Sequence, residues 1–397
     1  MQQNKISFLS GSLLWFGAAV SIAEIMTGTL IAPLGFGKGM LAIVLGHIIG
    51  CMLLFFAGLI GADSRTSAME SVRFSFGKQG SVFFSILNIL QLVGWTAVMI
   101  IGGARAFGSI INTTLGYENN WLWCIMIGVL IILWVIVGIK NVGKLNLVAV
   151  GSLLILTILL GTVIFKGGST ADIEGTLSFG MAMELSIAMP ISWLPLISDY
   201  TKNTDRPVGF TLFSTFCYFI GSIFMYAIGL GAALFAGSSD IVDIMMGAGL
   251  GLAAMIIVVL STVTTTYLDV YSAGESILNI NPRLSGKGAG IVVTIIGTLI
   301  AIFMPIEQYE NFLYLIGSVF APMIAILITD YFILGNRHHK KSMNLLNGVL
   351  WIAGFVIYRV FMQIDTVLGS TVPVMIIVSL LCIAANFIGR KGVGKNV

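Results

Sequence analysis

The chain has 397 residues, 57% of them hydrophobic and only 9% charged, and its mean hydropathy is +1.02. Globular chains carry about 25% charged residues, so this balance excludes a soluble domain. The net charge of +3 is too small to mark a nucleic-acid-binding protein.

The composition is that of an all-α polytopic membrane protein with short loops, a single transmembrane domain over residues 1–397. Only Lys5 precedes the first apolar stretch, and no small-residue cleavage site follows, so no signal peptide is expected. A spanning helix needs about 20 apolar residues. The pattern predicts twelve, over residues 11–35, 39–62, 81–112, 121–140, 145–166, 179–199, 207–235, 246–275, 288–304, 312–334, 344–364 and 371–389. Each is too long and too evenly apolar for a barrel strand, which would alternate.

Span 1 carries Glu24 near its middle, followed by Gly28 and Pro33. A carboxylate in hydrocarbon is expensive and normally faces protein or a water-filled path. Gly and Pro beside it predict an interrupted helix, which is tolerated at that depth where it lines a cavity. His47 in span 2 stands alone among apolar residues and is expected to make a structural hydrogen bond. In span 3, Gln91, Trp95 and Met99 recur every four residues and share one face. An indole stacks on planar rings, and an amide both donates and accepts hydrogen bonds; the same stripe also suits ordinary packing. Arg105 falls toward the outer end of this span, where it can snorkel.

Span 6 has Glu184 in its outer half and then Met189–Pro190–Ile191–Ser192–Trp193–Leu194–Pro195. Two prolines five residues apart do not fit a straight helix. Trp193 is a second ring platform or a packing residue, and Ser192 lies beside the expected break. Span 8 holds Ser261, Thr262, Thr264, Thr265, Thr266 and Asp269 within nine residues. Lone Ser and Thr in membrane helices usually bond back to their own carbonyls, and this run exceeds that habit. Hydroxyls beside the freed carbonyls of a broken helix suit a hard monovalent cation such as sodium. Asp269 can add charge to that site, bind substrate, carry a proton, or pair with a base near the cytoplasmic end. The four cysteines, Cys51, Cys124, Cys217 and Cys382, lack metal-ligand spacing and read as apolar filler.

The loops fix an orientation. One set of ends holds Lys5, Arg65, Arg73, Lys78, Lys140, Lys144, Lys202, Arg206, Arg283, Lys287, Arg337, Lys340, Lys341, Arg390, Lys391 and Lys395, sixteen of the twenty basic residues. The opposite loops hold Glu118, Asp172, Glu174, Asp240, Asp243, Glu307 and Glu310. The positive-inside rule then puts both termini in the cytoplasm, in the cell (inner) membrane. The run His338–Lys341 is explained by topology and lipid headgroups. Spans 1 and 6 are both interrupted and have opposite orientations. That is the pattern of a five-plus-five inverted repeat around a midplane site, with residues 11–166 and 179–334 as the repeats and 344–389 as two added helices.

Several segments carry a family resemblance. They are Trp15–Phe16–Gly17 leading to Ser21–Ile22–Ala23–Glu24, Gln91–Leu92–Val93–Gly94–Trp95, Ser198–Asp199–Tyr200–Thr201–Lys202, and Ser261–Thr262 with the threonines that follow. In order and span position they resemble the nucleobase:cation symporter-1 family, in its bacterial branch of cytosine permease and hydroxymethylpyrimidine permease, the CytX type being the nearer. The resemblance covers roughly the first ten spans and implies a LeuT-like fold. It implies that Glu24 meets the nucleobase, that Trp95 stacks on it with Gln91 near, that the carbonyls of Val20 and Ala23 hold a cation, and that the hydroxyls of Ser261 and Thr262 complete the cation site. Two positions depart from the family. Pro190 stands where span 6 often has an aromatic, and the neighbourhood of the usual span-8 asparagine holds Tyr267 or a threonine, Thr265 and Thr266 among them.

The function expected is therefore secondary active import of a hydroxymethylpyrimidine-type aminopyrimidine, with cytosine or another base as the alternative. Sodium is the expected coupling ion and a proton the alternative; no cofactor is expected. The partners implied are a small pyrimidine, the cation and membrane lipids. A membrane enzyme is disfavoured because no metalloprotease, nucleophile-elbow or metal-cluster motif is present. A channel is disfavoured because no acidic ring accompanies the broken helices. The site residues so named are Glu24, Gln91, Trp95, Met99, Pro190, Ser192, Trp193, Thr265, Thr266 and Asp269 for substrate, and Val20, Ala23, Ser261 and Thr262 for sodium.

Overall fold

The structure, a computed structural model, describes residues 8–137, 151–166 except 153 and 156, 175–235, 246, 251–303, 309–338 and 342–393. Lys5, Lys140, Lys144, Asp172, Glu174, Asp240, Asp243, Glu307, His339, Lys340, Lys341 and Lys395, with the first part of span 5, lie outside the described residues.

Every regular element among the described residues is helical. Span 1 is α1 (Phe8–Ala19) and α2 (Ile22–Leu30); span 2 is α3 (Phe36–Ser64). A short α4 (Ala68–Ser71) leads into α5 (Arg73–Leu115), span 3, and α6 (Asn120–Val137) is span 4. Span 6 is α7 (Phe179–Ser192) and α8 (Ile197–Thr201), and α9 (Pro207–Phe235) is span 7. The chain continues through α10 (Gly251–Ile280), α11 (Gly286–Phe303), α12 (Tyr309–Ile328), α13 (Leu345–Phe361) and α14 (Thr371–Val393). Among the described residues, seven helices are long and apolar enough to cross a membrane, or eight if α1 and α2 form one bent span. The first half of span 6 and α13 are shorter apolar helices.

Span 1 breaks earlier than Gly28 and Pro33 suggest. The 46° bend lies at Val20–Ser21, before Glu24. Ser21 takes extended backbone angles and its hydroxyl accepts from the Glu24 N–H at 3.3 Å, an N-cap that starts α2 afresh. Pro33 sits in a single 3-10 turn, Ala32–Leu34, past the end of α2. Gly28 is helical and serves close approach instead: a Cβ there would lie 2.3 Å from the Tyr226 carbonyl oxygen of α9. The contact is reciprocal, since a Cβ at Gly229 would lie 2.0 Å from the Ile25 carbonyl oxygen. Small residues let two membrane helices meet backbone to backbone. Gly229→Val is therefore expected to push α2 away from α9, lowering both thermal stability in detergent and uptake. Wild-type melting and uptake in that variant would refute the close contact.

Span 6 breaks where its prolines predict. α7 ends at Ser192, residues 193–196 form turns, and α8 resumes at Ile197. Packing sorts the helices into two groups. α1 and α2 lie on α9, while α3 packs on α7 and α9. The second group joins α5, α10 and α11, with α6 against α11. The broken spans 1 and 6 belong to the first group and meet α5 and α10 of the second.

Loop ends that carry basic residues pair across the bundle. Lys202 Nζ lies 2.6 Å from Glu275, Arg73 donates to Asn279, and Tyr331 donates to Asp63 at 2.7 Å beside Arg337. Glu275 and Asn279 both lie in the last turns of α10, so the start of α5 and the end of α8 converge on one end of that helix. Asp199 accepts from the Ala68 N–H at 2.8 Å, and Tyr200 donates to the Leu268 carbonyl at 2.8 Å, so α8 is tied to α4 and to α10.

Candidate substrate and cation site

A cavity of about 330 Å³ opens between the two breaks and the helices α5 and α10. Its lining is Ala18, Ser21, Ala23 and Glu24 from span 1, Trp95 and Met99 from α5, Met189, Ser192 and Trp193 from span 6, and Thr265 and Asp269 from α10.

The cavity gathers Glu24, Trp95, Met99, Ser192, Trp193, Thr265 and Asp269, residues more than 240 positions apart in sequence. Two indoles face it. Trp95 is held edge-on by Phe312 at 5.6 Å, and Trp193 by Trp15 at 5.6 Å and Tyr218 at 6.2 Å between ring centroids. These edge-to-face contacts fix each ring plane and leave indole surface for a planar guest.

Glu24 is 1% exposed and held by two hydroxyls of α9. Tyr218 donates to Oε1 at 2.8 Å and Ser222 to Oε2 at 2.5 Å. A carboxylate has about four lone-pair directions, so acceptor capacity remains toward the cavity. Ser222 Oγ also lies 2.6 Å from His47 Nε2, and His47 Nδ1 lies 2.7 Å from Ser186 Oγ and 2.9 Å from the Ile43 carbonyl. His47 thus does make hydrogen bonds, and to side chains of two other spans. It braces the hydroxyl that braces Glu24.

Three residues named from sequence for the substrate do not line the cavity, nor do Val20, Ser261 and Thr262, named for sodium. Gln91 turns one helical turn away: its amide donates to Asn88 at 2.8 Å and to the Ser192 carbonyl at 3.5 Å, and its Oε1 is buried without a partner. Pro190 faces span 2, where a Cβ at Gly50 would meet its ring at 2.9 Å. Thr266 is fully buried and returns its hydroxyl to the Thr262 carbonyl at 2.6 Å. Conversely, Ala18, Ser21 and Met189 line the cavity without having been singled out, and Tyr218, Ser222 and His47 support Glu24 from behind. Small and apolar residues beside a helix break carry no chemical signal in a sequence. The hydroxyls of α9 look like ordinary polar spacing until the neighbouring helix is placed.

The hydroxyl run on α10 divides in two. Ser261, Thr264 and Thr266 bond back to carbonyls of their own helix, at 3.4, 2.7 and 2.6 Å. The Oγ1 atoms of Thr262 and Thr265 are buried and have no partner. Across from α10, the Glu24 N–H is taken by the Ser21 hydroxyl, which withdraws it from the Val20 carbonyl it would meet in an unbroken helix. The Ala23 carbonyl accepts from the Thr27 hydroxyl at 2.8 Å. Hard oxygens of this kind are the donor set a monovalent cation takes. No group of three or more His, Cys, Asp or Glu able to hold a metal occurs among the described residues.

A family profile described as "Permease for cytosine/purines, uracil, thiamine, allantoin" matches residues 2–346. The chain belongs to this family, the nucleobase:cation symporter-1 permeases. It is a membrane transporter and not an enzyme. It is 27% identical over 357 residues to the cytosine permease of Escherichia coli O157:H7, covering 88% of this chain and 82% of that one. Its fold is similar to that of Mhp1, a nucleobase-cation-symport-1 family transporter solved closed with bromovinylhydantoin bound, at a TM-score of 0.82, 19% identity and coverage of 97% and 93%. A Na+-coupled sialic acid symporter in a substrate-bound outward-open state is also similar in fold, at a TM-score of 0.66, 16% identity and coverage of 96% and 88%. The likeness places the family member in the LeuT-like class of transporter folds.

Proposed function

We propose that this permease imports a hydroxymethylpyrimidine-type aminopyrimidine together with sodium, by alternating access. The observation that carries the reading is Glu24, a buried carboxylate in a cavity that two indoles also line. Trp95 and Trp193 stack on or flank the ring, and Glu24 accepts from its exocyclic amine. If Glu24 is protonated it also donates to a ring nitrogen, and an aminopyrimidine presents both groups. Sodium sits between the carbonyls of Val20 and Ala23 and the hydroxyls of Ser261 and Thr262. The partnerless Thr262 Oγ1 supports that placement, and the back-bonded Ser261 would turn to join it. Because α10 belongs to one packing group and span 1 to the other, a cation bound by both would couple ion occupancy to their relative position.

In this reading the chain has twelve spans, with both termini in the cytoplasm of the inner membrane, and its first ten spans form the five-plus-five inverted repeat. The pairing of basic loop ends at one end of α10 supports that orientation. Cytosine is the second reading, favoured by the cytosine permeases among the relatives. The test is uptake by purified protein in proteoliposomes, with labelled hydroxymethylpyrimidine and cytosine compared under sodium and proton gradients imposed separately. Saturable hydroxymethylpyrimidine uptake driven by sodium is expected. Preference for cytosine would replace the substrate, uptake driven by a proton gradient alone would replace the ion, and no saturable uptake of either base would overturn the reading.

A further inference from the structure

The two acidic groups of the cavity differ in what they already have. Glu24 is met by Tyr218 and Ser222. Asp269 lines the same cavity from α10, is 4% exposed, and has no hydrogen-bond or ion-pair partner among the described residues. The ion pair near that end of α10 is Lys202–Glu275, so the basic partner that the sequence allowed for Asp269 is committed elsewhere. One turn away, Thr265 is also 4% exposed, lines the cavity, and leaves its Oγ1 without a partner. No Lys, Arg or His is among the lining residues. Buried polar groups are normally paired, and an unpaired carboxylate is the most costly exception. The missing donors are therefore expected to arrive with the ligand.

We propose that the cavity selects a ring with two separate hydrogen-bond donor groups: an exocyclic amine met by Glu24, and a second donor, a hydroxymethyl or another amine, met by Asp269 and Thr265. The first half rests on the functional reading above; the second is independent of the position of Glu24. A ring that turns carbonyl oxygens toward α10 meets a carboxylate there, acceptor against acceptor, and is rejected. A site built to bond a substrate hydroxyl discriminates strongly against the analogue that lacks it, because its own polar groups are then left unpaired.

The test compares hydroxymethylpyrimidine with the analogue in which the hydroxymethyl group is a methyl, each as a competitor of labelled hydroxymethylpyrimidine uptake. A hydrogen bond to a charged group supports a preference of about tenfold or more for the hydroxyl compound in the wild type. Asp269→Ala should bring that ratio close to one, and Asp269→Asn, which keeps one acceptor oxygen, should leave it in between. Equal competition in the wild type, or a wild-type ratio in both variants, overturns the proposal. Should Asp269→Ala not fold, the wild-type ratio and the Asn variant decide. Glu24→Gln separates the two layers. If it leaves uptake untouched, the underlying reading fails; if it impairs uptake while the Asp269 variants keep the ratio, only the present inference fails.

Discussion

Glu24→Gln is expected to raise the KM for the transported base by one to two orders of magnitude while the protein still folds and inserts. The amide keeps the shape of the side chain and one acceptor oxygen, so Tyr218 or Ser222 retains a partner. What is lost is the charge-assisted hydrogen bond to the substrate. Bonds to charged groups contribute about 1.5–3 kcal/mol, and about 1.4 kcal/mol is tenfold in affinity. Uptake kinetics in proteoliposomes measure the shift, and a thermal melt in detergent confirms the fold. Uptake and ion dependence that both survive unchanged would remove Glu24 from the centre of the site. Alanine is the worse probe, because it also strands the buried Ser222 and Tyr218 hydroxyls.

The second large effect belongs to the other buried glutamate. Glu184, in the first half of span 6, is 3% exposed and accepts four hydrogen bonds. Tyr358 and the Thr371 hydroxyl donate to Oε1 at 2.5 and 2.7 Å, and the N–H groups of Ser370 and Thr371 donate to Oε2 at 2.7 and 2.8 Å. The last two are at the start of α14, where a helix presents unpaired N–H groups and the positive end of its dipole. Glu184 thus ties α7 to α13 and α14, beside a second cavity of about 620 Å³ that it helps to line. Glu184→Ala leaves these donors without their acceptor, at about 1–3 kcal/mol for each one that water does not reach. A marked fall in melting temperature in detergent is expected, with Glu184→Gln intermediate, since an amide nitrogen cannot accept. Base affinity in the folded fraction should be near wild type, because Glu184 does not line the first cavity. Wild-type melting of the Ala variant would show that the clasp contributes nothing.

The two glutamates look alike in the sequence. Each is a lone carboxylate in an apolar span that breaks close by, and each invites a binding role. Periodicity states which face of its own helix a residue occupies, but not which helix covers that face. Glu184 is covered by four donors, and Glu24 lines the cavity between the broken spans. The same limit explains Gln91, which shares a stripe with Trp95 and Met99 yet turns toward Asn88. It explains Pro190 as well, which packs on Gly50 rather than on the cavity.

The sequence by itself determined the membrane class, the broken first and sixth spans, the family, and most of the cavity's chemistry. Apolar length, proline and a costly charge are local signals that a bilayer makes strict. The tertiary structure decided which polar groups are spent and which are free. Glu24 is bonded by residues 194 and 198 positions away, His47 reaches spans 6 and 7, and of the span-8 hydroxyls only Thr262 and Thr265 lack a partner. Those pairings depend on how helices far apart in the chain come together, and no repeat along one helix encodes them.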